Sequence, residues 1–298
     1  MAMRDDFCAF ILTHGRPDRV YTYDTLLKAG YTGKIYILID DEDETAEEYR
    51  KRFGDKVLQF CKQTYVERLD EGDNSGKRVS TIYARAAMFD LATQVGCKYF
   101  IQLDDDYTAM HFRLDSTGKY SYVKFKGNTD QVFEAMVDFA NQTGCLAIAM
   151  SQGGDWIGGG DGLSLKRKAM NSFVCSTDRP WVMMGRMNED VTTYVVEGRR
   201  GKLFFTTMQI QLCQKQTQTN AGGMSDLYLD SGTYVKSFYS VMYSPSCVQI
   251  GTLGDPRSEA YRIHHRINWH KAVPKILQEQ HKKLLTAQPL SGNTLNGS

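Results

Sequence analysis

Four short apolar runs constrain the fold of the N-terminal half. Residues 7–13, 34–39, 56–60 and 98–103 are rich in β-branched and aromatic side chains, and each ends abruptly in polar residues. The intervals between them read as helices. Pro17 suits a first helical turn, with Tyr21, Leu26 and Leu27 forming an apolar side after it. Residues 42–48 give the next helix an acidic start, and it runs to Phe53. After the polar stretch 70–77, a third helix spans about 78–95. Strands alternating with helices predict an α/β fold whose mostly parallel, Rossmann-like sheet is covered by helices on both faces.

The fourth run ends in Asp104, Asp105 and Asp106. Ligands in open α/β sheets bind beyond the carboxyl ends of strands, and clustered carboxylates there suit Mg²⁺ or Mn²⁺ carrying a diphosphate. The plainer alternative is a polar loop after a core strand. Thr13, His14 and Arg16 follow the first strand and Asp40 ends the second, so all of them face the same rim. Helical spacing puts Arg78, Ile82 and Arg85 on one face, where both arginines would meet phosphates or buttress the carboxylates; surface salt bridges account for them equally. No Gly-x-x-x-x-Gly-Lys loop and no Gly-x-Gly-x-x-Gly after the first strand is present, which argues against P-loop and dinucleotide enzymes.

The second half predicts a strand at 121–126, a helix at 130–141 and a strand at 145–150, then a glycine-rich loop at 153–162 in which Trp156 offers a stacking surface. Asn188, Glu189 and Asp190 open a further helix, closed by Gly198 or Gly201 before a strand at 203–206. Helix capping explains those acids without chemistry. An acidic pair 85 residues after the Asp triplet is also where a catalytic base would face a metal-bound donor.

Charge divides the chain. Residues 1–150 hold 19 Lys+Arg against 24 Asp+Glu, and residues 151–298 hold 17 against 11. The basic excess is densest around Arg257, Arg262, Arg266, Lys271 and Lys275, which reads either as a polyanion-binding surface or as a solvated face. Seven scattered cysteines without a Cys-x-x-Cys pair read as reduced core residues. No run is long enough for a membrane span, and the N-terminus lacks the features of a signal peptide, so a cytoplasmic location is expected.

Taken together, Thr13-His14-Gly15-Arg16-Pro17, Asp40, Ala84-Arg85, Leu103-Asp104-Asp105-Asp106 and Glu189-Asp190 resemble the glycosyltransferases of GT-A fold, over about residues 7–207. The stretches 11–17, 39–42 and 232–247 narrow the resemblance, as far as about residue 275, to phage glycosyltransferases found beside TET-type dioxygenases, which decorate hydroxymethylated pyrimidines of DNA.

The resemblance implies a nucleotide cradle of Thr13, His14, Arg16 and Asp40, with Asp40 taking a hydrogen bond from the base. It implies Asp104 and Asp106 at the metal and ribose, Asp105, Arg78 and Arg85 around the donor, and Asp190 as base with Glu189 as its fallback. His264, or its neighbour His265, is the candidate for a further metal ligand; a surface histidine pair is the alternative. The implied donor is a UDP-sugar, UDP-glucose by default, and the implied acceptor is double-stranded DNA carrying 5-hydroxymethylcytosine, held by Arg257, Arg262, Arg266, Lys271, Lys275 and Trp156. The expected organisation is a core at 1–207, a basic C-terminal helical segment at 208–286 and a disordered tail at 287–298. Three rivals stand beside this reading. One is a GT-A enzyme with a carbohydrate or protein acceptor, and another is a non-catalytic DNA-binding protein. The third, a haloacid-dehalogenase-like phosphatase matching Asp104-x-Asp106-x-Thr108, would need its nucleophile on the first strand, whereas three strands precede it here.

Overall fold

The computed structural model describes residues 2–115, 117, 119–152, 163–164, 169, 171–214, 235–257 and 261–273. Strands β1 (Phe7–Leu12), β2 (Lys34–Asp40), β3 (Val57–Phe60) and β4 (Tyr99–Asp104) form the parallel block predicted from the apolar runs, in the order β3-β2-β1-β4. Helices α1 (Tyr21–Lys28), α2 (Ala46–Phe53), α3 (Lys62–Val66) and α4 (Ile82–Gln94) connect them.

Several helices start later than the sequence predicts, and local hydrogen bonding is the reason. The carboxylates of Asp40, Asp41 and Asp43 accept the backbone N–H groups of Glu42, Lys62 and Thr45, so this acidic stretch closes turns and α2 begins only at Ala46. Pro17 likewise lies in the loop before α1. Helix α4 begins at Ile82, because residues 70–81 run as an extended loop. Arg78 therefore precedes the helix, and the helical spacing predicted between Arg78 and Arg85 does not apply.

Beyond β4 the sheet changes character. Strand β5 (Tyr107–Leu114) starts directly after the Asp triplet and pairs antiparallel with β6 (Tyr120–Lys124). Helix α5 (Thr129–Thr143) then leads to β7 (Ala147–Ser151), closing at Gly144 with φ +65°, a left-handed cap that favours glycine. A short strand β8 (Leu163–Ser164) and then β9 (Phe173–Ser176) follow; β9 wedges antiparallel between β4 and β7. Helix α6 (Glu189–Arg199) precedes β10 (Phe204–Gln214), whose first part pairs parallel with β7 and whose second part pairs antiparallel with β5. The order is β3-β2-β1-β4-β9-β7-β10-β5-β6, with β8 beside β10. Most strands run one way; β5, β8 and β9 oppose them.

The pleat of β1 divides the core. Phe7, Ala9 and Ile11 face α1, α2 and α5, while Cys8 and Phe10 face α3, α4 and α6. The C-terminal part predicted as helical is mixed. Helix α7 (235–243 in its described part) and the one-turn α8 (Trp269–Ala272) bracket a separate antiparallel ribbon of β11 (Val248–Leu253) and β12 (Arg262–Ile267). Strand β10 also runs unbroken across the boundary expected at residue 207. Among the described residues no helix is long and apolar enough to cross a membrane.

Candidate active site

The parallel registers bring the ends of β1, β2 and β4 to one rim, because Leu12 pairs with both Leu38 and Asp104. At the β1–β2 side, His14 Nδ1 lies 2.9 Å from Asp40 Oδ2, and Lys62 Nζ lies 3.0 Å from Asp40 Oδ1 and 3.1 Å from Glu42. Burial pushes the Asp40 carboxyl up, but His14 and Lys62 outweigh it and hold it below the usual carboxylate range. Reciprocally, the hydrogen bond to Asp40 raises the His14 imidazole. Arg78 reaches the mouth of this pocket at 2.9 Å from Glu42. The Tyr49 hydroxyl pins the β1–α1 turn, 2.8 Å from both Thr13 Oγ1 and the Arg16 N–H, and Asp43 accepts from Gly15 N at 2.9 Å.

Each member of the Asp triplet has its own surroundings. Asp104 Oδ1 is 2.6 Å from Nη2 of the buried Arg85. Asp105 turns toward β1, accepting Thr13 Oγ1 at 2.7 Å and standing 3.0 Å from Arg16 Nη2. Asp106 accepts Gln214 Nε2 at 3.0 Å through Oδ2, while its buried Oδ1 has no partner among the described residues. Burial is the largest influence on all three. It pushes Asp105 up to about 6 and, aided by the neighbouring Asp104 charge, Asp106 up to about 7. Asp104 is raised by burial and by Asp190 against the pull of Arg85.

That influence of Asp190 on Asp104 shows the two halves of the chain meeting. Asn188, in the left-handed conformation at φ 56°, turns the backbone into α6, so that Glu189 and Asp190 are buried at its N-terminus. Glu189 Oε1 accepts Thr81 Oγ1 at 2.5 Å; burial, then Asp190, pushes its carboxyl up to about 7. Arg85 faces the whole group. Burial works against its charge, but Asp104, Glu189 and Asp190 hold the guanidinium protonated.

A second buried arginine secures the approach. Arg186, 1% exposed, has Nε 2.9 Å from Asp73 and also pairs with Glu71, while its backbone N–H and C=O bond Glu71 O and Ser80 Oγ. Tyr83 and Tyr239 add hydroxyl contacts to Glu71 and Asp73. The loop 70–81 is thus tied to the start of α6.

The two histidines of β12 stay together, their ring centroids 4.0 Å apart. His265 is buried, 3.3 Å from Asn188 Nδ2. Among the described residues no three His, Cys, Asp or Glu side chains gather as a metal-holding group, so the predicted set of Asp104, Asp106 and His264 is not brought together. Arg257 pairs with Asp255 at 2.8 Å on the surface. Trp156 and Lys275 lie outside the described residues.

Sequence reasoning passed over Tyr49, Lys62, Thr81, Arg186 and Gln214. Tyr49 sits in a stretch that reads as ordinary helix and Lys62 in one to which the sequence assigns no element, and nothing local marks either. Gln214 reaches Asp106 only because the register shifts between Cys213 and Gln214.

Residues 7–223 match the family model described as TET-Associated Glycosyltransferase. The chain belongs to this family. No curated protein matches this TET-associated glycosyltransferase. Two solved structures show a distant likeness. One is glucosyl-3-phosphoglycerate synthase from Mycobacterium tuberculosis, in complex with Mn²⁺, UDP and phosphoglyceric acid, at 10% identity and TM-score 0.45 over 88% of this chain and 87% of that one. The other is S. aureus TarS 1-349, at 11% identity and TM-score 0.38 over 69% and 60%.

A glycosyltransferase that uses a nucleotide diphosphate donor has to neutralise a leaving diphosphate, and the donor set here fits a hard divalent cation. Asp104 and Asp106 offer oxygen ligands only. Asp106 Oδ1 is a buried acceptor without a partner among the described residues, and its carboxyl is pushed up by burial in a way that positive charge would reverse.

Proposed function

We propose that this chain transfers a sugar from a UDP-sugar, UDP-glucose by default, to the hydroxyl of 5-hydroxymethylcytosine in double-stranded DNA. The observation that carries the reading is the cluster itself, in which strand-end Asp104, followed by Asp106, meets buried Glu189 and Asp190 around the guanidinium of Arg85. Membership of a glycosyltransferase family supports the reaction type, and the resemblance of the sequence to enzymes acting on hydroxymethylated pyrimidines favours the acceptor.

In this reading Asp106 and Asp104 would hold Mn²⁺ or Mg²⁺, and the cation would supply positive charge for a leaving diphosphate. Asp40, fixed by His14 and Lys62, accepts a hydrogen bond from the base of the nucleotide, and Thr13, His14 and Arg16 line its cradle. Asp105 acts through Thr13 and Arg16, holding that turn in place. The acceptor hydroxyl oxygen bonds to the anomeric carbon as the bond from that carbon to the diphosphate breaks, and Asp190 takes the hydroxyl proton. Glu189, whose Oε1 accepts Thr81 Oγ1, stands beside Asp190 as the fallback for that role.

The test is a panel of UDP-sugars with Mn²⁺ or Mg²⁺ and duplex DNA containing either 5-hydroxymethylcytosine or cytosine, digested to nucleosides and weighed by mass spectrometry. A sugar-sized mass gain on the hydroxymethylated base alone, lost in Asp106→Ala and Asp190→Ala, is the expected result. UDP release indifferent to DNA, with no mass gain on any base, would refute the DNA acceptor.

A further inference from the structure

The β11–β12 ribbon stands apart from the main sheet, and only its base is locked to it. Val248 and Ala272 enter the core beside α6, and His265 meets Asn188 at the start of that helix. Its outer part is exposed, including Ile250, Leu253 and Ile263. Cross-strand partners share a face, so the pairs Gln249–Arg266, Gly251–His264 and Leu253–Arg262 define one side of the ribbon. The stem of Arg266 lies across Gly251, where an added Cβ would come within 2.4 Å of Nε. A cleft lined by Gln249, Arg266, Asn268 and Lys271 continues this basic side toward α8.

Among the described residues the charge on this side is uncompensated. Arg16, Arg78, Arg85 and Arg186 are all ion-paired, whereas Arg262, Arg266 and Lys271 have no carboxylate partner among the described residues. The one acid in described residues 244–257 and 261–273 is Asp255, which Arg257 holds. Six paired residues at about 3.4 Å each make a ribbon roughly 20 Å long, and the major groove of B-DNA, about 12 Å wide, admits a two-stranded β-ribbon.

We propose that the β11–β12 ribbon lies in the major groove of duplex DNA, with Arg262, Arg266 and Lys271 on the phosphates and its base delivering the target to the α6 end of the cleft. This rests on the DNA-acceptor reading above. The 5-substituent of a pyrimidine projects into that same groove, so a ribbon anchored beside Asp190 approaches the acceptor hydroxyl from the side on which it is displayed. The exposed Leu253, on the basic side, meets base edges and thymine methyls.

The experiment is fluorescence anisotropy of a labelled duplex with the full-length protein, titrated with salt in the presence of Mn²⁺ and UDP. The triple variant Arg262→Gln/Arg266→Gln/Lys271→Gln is expected to bind at least tenfold more weakly and to flatten the log–log salt slope by about 2.7, at about 0.9 per lost phosphate contact. Leu253→Glu is expected to weaken binding without removing a cation. Lys28→Gln/Lys51→Gln/Arg52→Gln, which also removes three cations but on α1 and α2 across the sheet, is expected to bind as wild type does. Methyl green, which fills the major groove, displaces the protein, and the minor-groove ligand netropsin does not. A triple variant that binds like wild type, or displacement by netropsin alone, overturns the ribbon proposal and leaves the acceptor reading standing. A wild-type protein that transfers sugar but binds no duplex at low salt overturns both.

Discussion

Arg85→Met removes one buried charge while keeping most of the side-chain stem, and its cost follows from the geometry. Arg85 is 2% exposed, with Nη2 at 2.6 Å from Asp104 Oδ1, so the variant leaves a half-buried carboxylate without its cation. Breaking such a pair costs about 3–5 kcal/mol, equivalent to roughly 6–20 °C in melting temperature for a chain of this size. Adding Asp104→Asn removes the orphaned charge, so the double variant should recover most of the loss and still be inactive. The pH dependence has a definite sign. The Asp104 carboxyl is already raised by burial, and without Arg85 it rises further. A group with a raised folded-state pKa contributes stability below its unfolded value and loses it as pH rises through the folded one. The gap between wild type and Arg85→Met should therefore narrow from pH 8 to pH 5. Differential scanning calorimetry of the three proteins at both pH values is the assay. A single variant melting within about 2 °C of wild type, or a double variant as unstable as the single, would refute the reasoning.

The same sign rule applies to the whole cluster. Asp105 raised to about 6, with Asp106 and Glu189 at about 7, makes the metal-free protein lose stability progressively between about pH 4 and pH 7, and Mn²⁺ at pH 8 restores it; a thermal scan showing a metal-free protein firmer at pH 8 than at pH 5 would contradict this. Arg186→Ala should release loop 70–81, costing about 3–5 kcal/mol and opening a protease site there, and unchanged limited-proteolysis patterns would count against that anchoring role.

Much of this site was legible in the sequence. Each apolar run of the first half is a complete parallel strand, so the residues after it had to reach one rim, and Asp40, Asp104 and Thr13 do so. What was hidden depended on long-range pairing. Strand β5 follows the Asp triplet so closely that the triplet reads as the end of an element, and its partner β10 lies about 90 residues away. The burial of Lys62 is decided by Asp40 and Glu42 on another strand end, which no local pattern records. The ribbon escaped detection because its basic side reads like a charged helical face.

The antiparallel insertion of β9 also sets a timetable for synthesis. Strand β4 is complete at Asp104, but its free edge is covered only when Ser176 has been made, 72 residues later. At about 5–20 residues per second that is an interval of roughly 4–14 s on the ribosome. During it the nascent block β3-β2-β1-β4 exposes the backbone of one of its most apolar strands, an edge open to pairing with other chains. Yield on expression should accordingly be more sensitive to slow translation between residues 105 and 176 than to the same delay after β10.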